Sequence, residues 1–354
     1  MSLLKLGLSN EELNLFNENK NDFQIARIIT VQRESYIINN GEKDLFAKLT
    51  GNLMYSSNSS LDFPTTGDFV FYQSFENDSV VLIHKVLNRK TLLTRKNPGK
   101  KVEFQLIAAN IDFALIMQSL DNDFNTNRLE RYLSMVNEFN VKPIILLSKA
   151  DLKSENEINK ILENLKSVYG EIPIFHFSNF ENNFKEVIKI LQSGKTYCLI
   201  GSSGVGKTTL LNNILGEEKY QTKEVRKGDN KGKHTTTARQ LVLLENGAMI
   251  IDTPGMRELG NISLSHGIEK TFDEINSLIE KCKFSDCTHT VEKGCAILDA
   301  LKNNQISEKR YNNFIKLRKE TEYYERSYVE SRKRDKEFGK MVKSVLKEKK
   351  NRLE

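Results

Sequence analysis

The feature that most constrains this chain is the octapeptide Gly201-Ser-Ser-Gly-Val-Gly-Lys-Thr208, which fits the pattern G-x-x-x-x-G-K-[ST]. It follows an apolar run, Tyr197 to Ile200, and leads into an apolar helical pattern beginning near Lys207. Strand, glycine-rich loop and helix in that order make a phosphate cradle. The glycines let successive backbone N–H groups turn inward, and the helix N-terminus adds a positive dipole. Gly201, Ser202, Ser203, Gly204, Val205 and Gly206 then wrap the phosphates of a nucleoside triphosphate, and Lys207 reaches the β- and γ-phosphates. Thr208 ligates Mg²⁺, with Thr209 beside it at the helix start. Such a loop belongs to a mostly parallel sheet covered by helices, and the residues around it alternate accordingly. Phe113 to Met117, Pro143 to Leu147, Ile172 to Phe177, Leu241 to Leu244 and Met249 to Ile251 read as buried strands. Leu129, Tyr132, Leu133, Val136 and Phe139 mark one helix face, and Ile158, Ile161, Leu162, Leu165 and Val168 mark the next. Cys198, inside the strand before the loop, reads as core.

Three further segments complete a nucleotide switch. Asp252-Thr-Pro-Gly255 ends a strand about fifty residues beyond the phosphate loop. It puts a carboxylate near the Mg²⁺ shell and a Gly255 N–H where it can sense the γ-phosphate. Between them, Lys227 to Thr237 is rich in glycine and charge. A hydroxyl from the triplet Thr235-Thr236-Thr237, with Thr236 the candidate, would complete the Mg²⁺ shell only when the γ-phosphate is present, which is the logic of an order–disorder switch. The base-reading element precedes the phosphate loop. Ser148-Lys149-Ala150-Asp151 follows the strand Pro143 to Leu147, and a carboxylate there accepts from the two guanine N–H groups that adenine lacks. Ser178, after the next strand, backs the base. The usual GTPase order is thus cyclically rotated, with each element still at the carboxyl end of its strand. Asp151 and this order disfavour an ATPase or a nucleotide kinase.

At 354 residues the chain has room for two or three domains. Before the α/β region, five short β-rich runs lie between Phe23 and His84, separated by turn signals at Asn39-Asn-Gly41, Gly51-Asn52 and Glu76-Asn-Asp78. They suggest a small barrel, either an OB-fold or an SH3-like one. After it, Cys282, Cys287, His289 and Cys295 form C-x4-C-x-H-x5-C, a Cys₃His set suited to one structural Zn²⁺ with no open position. An odd trio of cysteines argues against disulfides. The net charge of +6 is uneven: Lys302 to Glu354 holds 17 Lys/Arg and 9 Asp/Glu, so the excess lies wholly in that tail. A polyanion such as nucleic acid or a solvated helix face accounts for it equally well. No apolar run reaches the roughly 18–20 residues of a membrane span. Residues Met1 to Phe16 lack the apolar core of a signal peptide. The expectation is a cytoplasmic monomer without membrane contact.

A barrel, a rotated GTPase region and a Cys₃His module in that order resemble the small-ribosomal-subunit-dependent, circularly permuted GTPases of bacteria, the RsgA/YjeQ family. Thr66-Gly67-Asp68, Arg89-Lys-Thr-Leu-Leu93, the phosphate loop, Gly232-Lys-His-Thr-Thr-Thr237, Asp252-Thr-Pro-Gly255 and the Cys/His cluster carry the resemblance. It implies a multidomain α/β protein: an RNA-binding OB-fold over 1–100, a permuted GTPase domain over 101–259 and a helical zinc domain with a basic tail over 260–354. It also implies Mg²⁺-dependent GTP hydrolysis to GDP and phosphate, stimulated by the 30S subunit, with 16S rRNA as partner and a role in late subunit maturation. Ser148 and Lys233 stand where Asn or Thr and Arg are commoner in that family. The position after Asp-x-x-Gly is Met256, which cannot orient a water, so intrinsic hydrolysis should be slow and His234 is the candidate for that task. A GTP-sensing, RNA-binding translational regulator is the alternative reading.

Overall fold

The computed structural model describes residues 3–18, 23–57, 59–75, 80–96, 104–180, 183–216, 239–252 and 263–325. After a 3₁₀ turn at Leu3–Leu6, helix α1 (Asn10–Glu18) starts on a reciprocal cap. The Ser9 N–H donates to Glu12 Oε2 at 2.8 Å and the Glu12 N–H to Ser9 Oγ at 3.2 Å. Strands β1 (Gln24–Val31), β2 (Tyr36–Asn39) and β3 (Asp44–Leu49), helix α2 (Gly51–Ser56), and strands β4 (Phe69–Phe75) and β5 (Val80–Val86) follow. β1 pairs with β2 and β4, β2 with β3, β3 in parallel with β5, and β5 with β4. The sheet closes in the order 1-2-3-5-4-1 around Ile28, Ile38, Val70, Tyr72, Val81 and Ile83. This is the Greek-key closure of an OB-fold, which decides between the two barrels left open by the sequence. Gly51-Asn52, a turn signal in the sequence, instead opens α2. Thr50 Oγ1 accepts the Leu53 N–H at 3.3 Å, and that cap outweighs the turn-forming pair.

A hairpin, β6 (Leu92–Lys96) with β7 (Phe104–Ala109), leads into the second unit. There β8 (Phe113–Ser119), α3 (Thr126–Glu138), β9 (Lys142–Ser148), α4 (Glu155–Tyr169), β10 (Ile174–His176), α5 (Lys185–Lys189), β11 (Thr196–Gly201), α6 (Lys207–Leu215), β12 (Gln240–Leu243) and β13 (Met249–Asp252) follow in turn. The strand order is β10-β9-β8-β11-β13-β12, parallel throughout except for β12. Alternate residues feed two cores. Leu115, Met117, Leu146, Tyr197, Leu199 and Ile250 face one side, and Ala114, Ile116, Ile145, Leu147, Cys198 and Ile251 the other. Cys198 is fully buried as expected, and burial pushes its thiol up to about 12. On α4 the inward stripe ends at Tyr169, one turn after Leu165, while Val168 is exposed. The helical period rotates Val168 off the buried face.

The chain then runs through α7 (Ser265–Thr271), α8 (Asp273–Ile279), α9 (Ala296–Lys302) and a helix over residues 308–325, here α10. α7 lies directly against α3. A Cβ on Gly267 would sit 1.9 Å from the Ser134 carbonyl oxygen, so only glycine permits this approach. The Gly267 N–H donates to Glu138 Oε2 at 2.8 Å, and Asn137 Nδ2 donates to Thr271 Oγ1 at 3.0 Å. A buried polar knot lies next to them. Arg310 of α10 donates to Glu130 Oε1 of α3 at 2.9 Å, to the Thr271 carbonyl at 2.9 Å and to Glu274 Oε2 at 3.0 Å.

The barrel and the parallel sheet are joined in two ways. β1 pairs with β12 at Thr30 and Gln240, so one sheet runs through both units. Beside that seam the guanidinium of Arg27, 1% exposed, donates to the carbonyls of Leu6 at 2.5 Å, Gly67 at 3.1 Å and Asn110 at 3.1 Å. It also lies 4.9 Å from the centroid of the Phe69 ring. Burial lowers its pKa to about 10, against the opposing fields of Asp112, Asp68 and Glu12, and it stays charged at neutral pH. Arg27→Lys keeps the charge but loses the fork that serves three carbonyls at once. It should destabilise the chain by about 2–3 kcal/mol, read from the midpoint of urea unfolding. A variant as stable as the parent would show that the fork is dispensable.

Candidate functional site

The carboxyl ends of β9, β10, β11 and β13 open on one edge of the parallel sheet, where a doubly wound fold binds ligands. Gly201 ends β11 and Lys207 begins α6, so the phosphate loop spans strand and helix as its sequence requires. Gly206 adopts φ +92°, and a Cβ there would come within 2.8 Å of Asn179 Nδ2. Lys207 Nζ donates to the carbonyls of Gly201 at 2.7 Å and Ser202 at 2.6 Å, which curls the ammonium over the mouth of the loop. Ser203, Gly204 and Thr208 are exposed there, Thr209 is half-buried, and Val205 points into the core.

Ser148–Asp151, the tetrapeptide expected to read the base, sits beside the loop. Ser148, fully buried, donates from Oγ to the Val205 carbonyl at 2.7 Å. The short serine thus braces the phosphate loop directly. Lys149 takes a left-handed φ of +57°, and its Nζ pairs with Asp121 Oδ2 at 2.7 Å. Burial alone would raise the Asp121 carboxyl, but hydrogen bonds from Lys149, Ser119 and the Asp123 N–H outweigh it and hold it low. The Ala150 N–H donates to the Phe177 carbonyl at 3.1 Å, and Asp151 follows with its side chain exposed. Ser178 is buried, with its N–H donating to Asn183 Oδ1 at 2.6 Å and its Oγ accepting the Phe180 N–H at 3.1 Å. Asn213 of α6 donates from Nδ2 to Asn179 Oδ1 at 3.3 Å, tying this turn to the phosphate-loop helix. Asp252 closes β13, level with Gln240. His234, Thr236 and Gly255 lie outside the described residues, as do Thr235, Thr237 and Met256.

Nothing in the local sequence singles out Asp121, Asn179, Asn183 or Asn213, because each acts through hydrogen bonds set by tertiary placement. Thr66-Gly67-Asp68 and Arg89 turn out to be architectural. Arg89 donates from Nε to Asp68 Oδ1 and from its terminal nitrogen to Asp68 Oδ2, both at 2.8 Å. The Thr65 N–H adds a third bond to that buried carboxylate at 2.7 Å. Burial pushes the Asp68 carboxyl up, and the arginine opposes it.

The Cys/His set also converges. The ligand atoms of Cys282, Cys287, His289 and Cys295 lie within 4.8 Å of one another. His289 Nδ1 is 3.5 Å from Cys282 Sγ and 3.6 Å from Cys295 Sγ, and those two sulfurs are 3.9 Å apart. His289 and Cys295 are buried. Glu292 ties the intervening loop by accepting the N–H groups of Thr288 at 2.8 Å, Thr290 at 3.0 Å and Val291 at 3.1 Å. This is a closed four-donor cage for a metal ion.

Residues 86–262 match the family model described as RsgA GTPase. A Listeria monocytogenes protein named small ribosomal subunit biogenesis GTPase RsgA 2 is 41% identical over 303 residues, which is 85% of this chain and 84% of that protein. A Leptospira interrogans protein named small ribosomal subunit biogenesis GTPase RsgA is 39% identical over 334 residues, 92% of this chain and 91% of that protein. The chain belongs to the RsgA GTPase family. Its enzymatic class is therefore GTP hydrolysis, in line with the rotated order of the site. Among solved structures, YjeQ from Thermotoga maritima superposes with a TM-score of 0.62 at 25% identity, covering 84% of this chain and 98% of that one. The circularly permuted GTPase YloQ shares the fold, with a TM-score of 0.59 over 85% of this chain and 95% of its own.

Ser148→Ala removes the brace and leaves the buried Val205 carbonyl unpaired, so it should cost about 1–3 kcal/mol of stability, while Ser148→Thr should keep most of it. Urea midpoints of the two variants distinguish a brace from mere space filling. Chelation at neutral pH should release one metal ion per chain and lower the thermal midpoint by several degrees, reversed by adding the ion back. Metal analysis and a melting curve check both.

Proposed function

We propose that this chain is a GTPase of small-ribosomal-subunit maturation that binds the 30S subunit and its 16S rRNA and hydrolyses GTP slowly until the subunit stimulates it. What carries the reading is the meeting of Ser148–Asp151, Ser178 and Gly201–Thr208 at the carboxyl ends of β9, β10 and β11 in rotated chain order. The names of the Listeria and Leptospira relatives support the ribosomal assignment.

In this reading Gly201 to Thr209 cradle the phosphates and Lys207 turns from the loop carbonyls to the β- and γ-oxygens. Asp151 accepts from the guanine N–H groups, and Ser178 orients the segment backing the base. Thr208, Asp252 and Thr236 offer hard oxygen donors of the kind Mg²⁺ takes, and the ion would neutralise charge on the phosphates. His234 holds the attacking water, and Gly255 reports the γ-phosphate. The metal of the Cys₃His cage is Zn²⁺. With Zn–S of about 2.3 Å and Zn–N of about 2.0–2.1 Å, a tetrahedron sets sulfurs about 3.8 Å apart and sulfur and nitrogen about 3.6 Å apart. Cys282, His289 and Cys295 are close to that spacing, with 3.9 Å between the two sulfurs and 3.5 and 3.6 Å from sulfur to nitrogen, and Cys287 lies with them within 4.8 Å.

The division of labour follows the three regions. The barrel over 1–100 and the zinc region over 260–354, with its basic tail, grip rRNA through phosphates and exposed bases, and residues 101–259 supply the nucleotide switch. The protein works in the cytoplasm as a monomer. Among the described residues no helix is long and apolar enough to cross a membrane.

Steady-state GTP hydrolysis measured with and without purified small subunits tests the reading. A stimulation of tenfold or more by the small subunit alone is expected, and His234→Ala should lose that stimulation while keeping GTP affinity. Stimulation by another RNA, or by none, would favour a GTP-sensing regulator instead.

A further inference from the structure

We propose that Phe180 is the second wall of the guanine site, stacking its ring on the base across from the stem of Lys149. This rests on the assignment of Ser148–Asp151 as the base reader. Phe180 is 83% exposed, although it follows a buried serine in a turn held by specific hydrogen bonds. A ring exposed on a turn that borders the base reader is open to stacking by a planar ligand.

The pinning places the turn that carries the ring at the base end of the site. Phe177 and Ser178 continue β10, which is parallel to β9, and the Phe177 carbonyl accepts the Ala150 N–H at 3.1 Å. The turn therefore runs beside the base reader. On its other flank Asn179 is held by Asn213 of α6 at 3.3 Å, next to the phosphate-loop helix. The N–H of Phe180 itself is taken up by Ser178 Oγ at 3.1 Å, so the backbone direction at this residue is fixed. Lys149, in the base reader, is fixed at both ends. Its backbone adopts φ +57° and its ammonium is tied to Asp121 at 2.7 Å, so the methylene stem stands as a wall with no slack. Asp151, next in the chain, reads the edge of whatever lies between. A purine has two faces and one such edge. A stem on one face, a ring on the other and a carboxylate at the edge would complete the enclosure. The ligand is a guanine nucleotide, and the ring contributes equally to GTP and GDP because it touches neither phosphate.

The chain contains no tryptophan, so Phe180→Trp installs a single indole reporter. Stacking predicts quenched indole emission on adding GDP, and unaltered emission while calorimetry shows GDP bound would overturn the proposal. Phe180→Ala should weaken GDP and GTP alike, by roughly five- to a hundredfold, with unchanged melting temperature and metal content, while Phe180→Tyr restores binding. Equal affinities for Phe180→Ala and the parent would also overturn it. Asp151→Asn separates the underlying reading from this inference. If that change leaves the preference for GTP over xanthosine triphosphate untouched, the base reader itself is misassigned. If it shifts the preference while the Phe180 variants stay silent, only the stacking wall is wrong.

Discussion

Arg27 carries the constraint on which the arrangement of this molecule depends. A guanidinium withdrawn from water is costly, and among the described residues no carboxylate forms an ion pair with this one to offset the loss. Besides the Met249 sulfur, its donors reach three backbone carbonyls that come from three separate stretches of chain: the N-terminal turn, the loop entering β4, and the residue entering the second unit. All three must be present for the charge to be tolerated. The arginine therefore acts as a test of correct assembly, since a barrel docked at any other angle would leave a buried cation short of acceptors. Asn110 reinforces the seam by donating to the same Gly67 carbonyl at 3.1 Å.

Arg310 plays the corresponding part on the opposite flank with a different chemistry. It has carboxylates on two elements, Glu130 and Glu274, and lies over the Phe272 ring at 4.7 Å. Burial alone would lower its pKa, but Glu274 and then Glu130 outweigh this and raise it. The rotated chain order gives this contact its meaning. Asp252 ends the last strand of the parallel sheet, and α7 begins at Ser265, a short way along the chain, already pressed against α3.

Much of this was legible in the sequence. The strand–loop–helix placement of Gly201–Thr208, the strand-end position of Ser148–Asp151 and the convergence of the Cys/His set were readable because each packs several chemical requirements into a short stretch. The barrel strands were readable from β-branched runs, but their closure was not, because the parallel β3–β5 contact is a matter of topology. Gly51-Asn52 misled because a local turn preference lost to the Thr50 cap. Val168 misled because an apolar residue one position off the stripe looks like a member of it. The roles of Arg27, Asp68 and Arg89 were hidden for a deeper reason. A charged residue in a linear sequence reads as surface, and only the fold reveals which carbonyls or carboxylates will surround it.

The seam between β1 and β12 has one further implication. Because one hydrogen-bonded sheet runs from the barrel into the nucleotide-binding unit, the barrel behaves as a fixed arm of the enzyme and not as a tethered attachment. A fixed arm measures distance. Every surface of the barrel is held at a set separation and orientation from the phosphate loop, so the barrel's position reports directly on where the nucleotide unit sits.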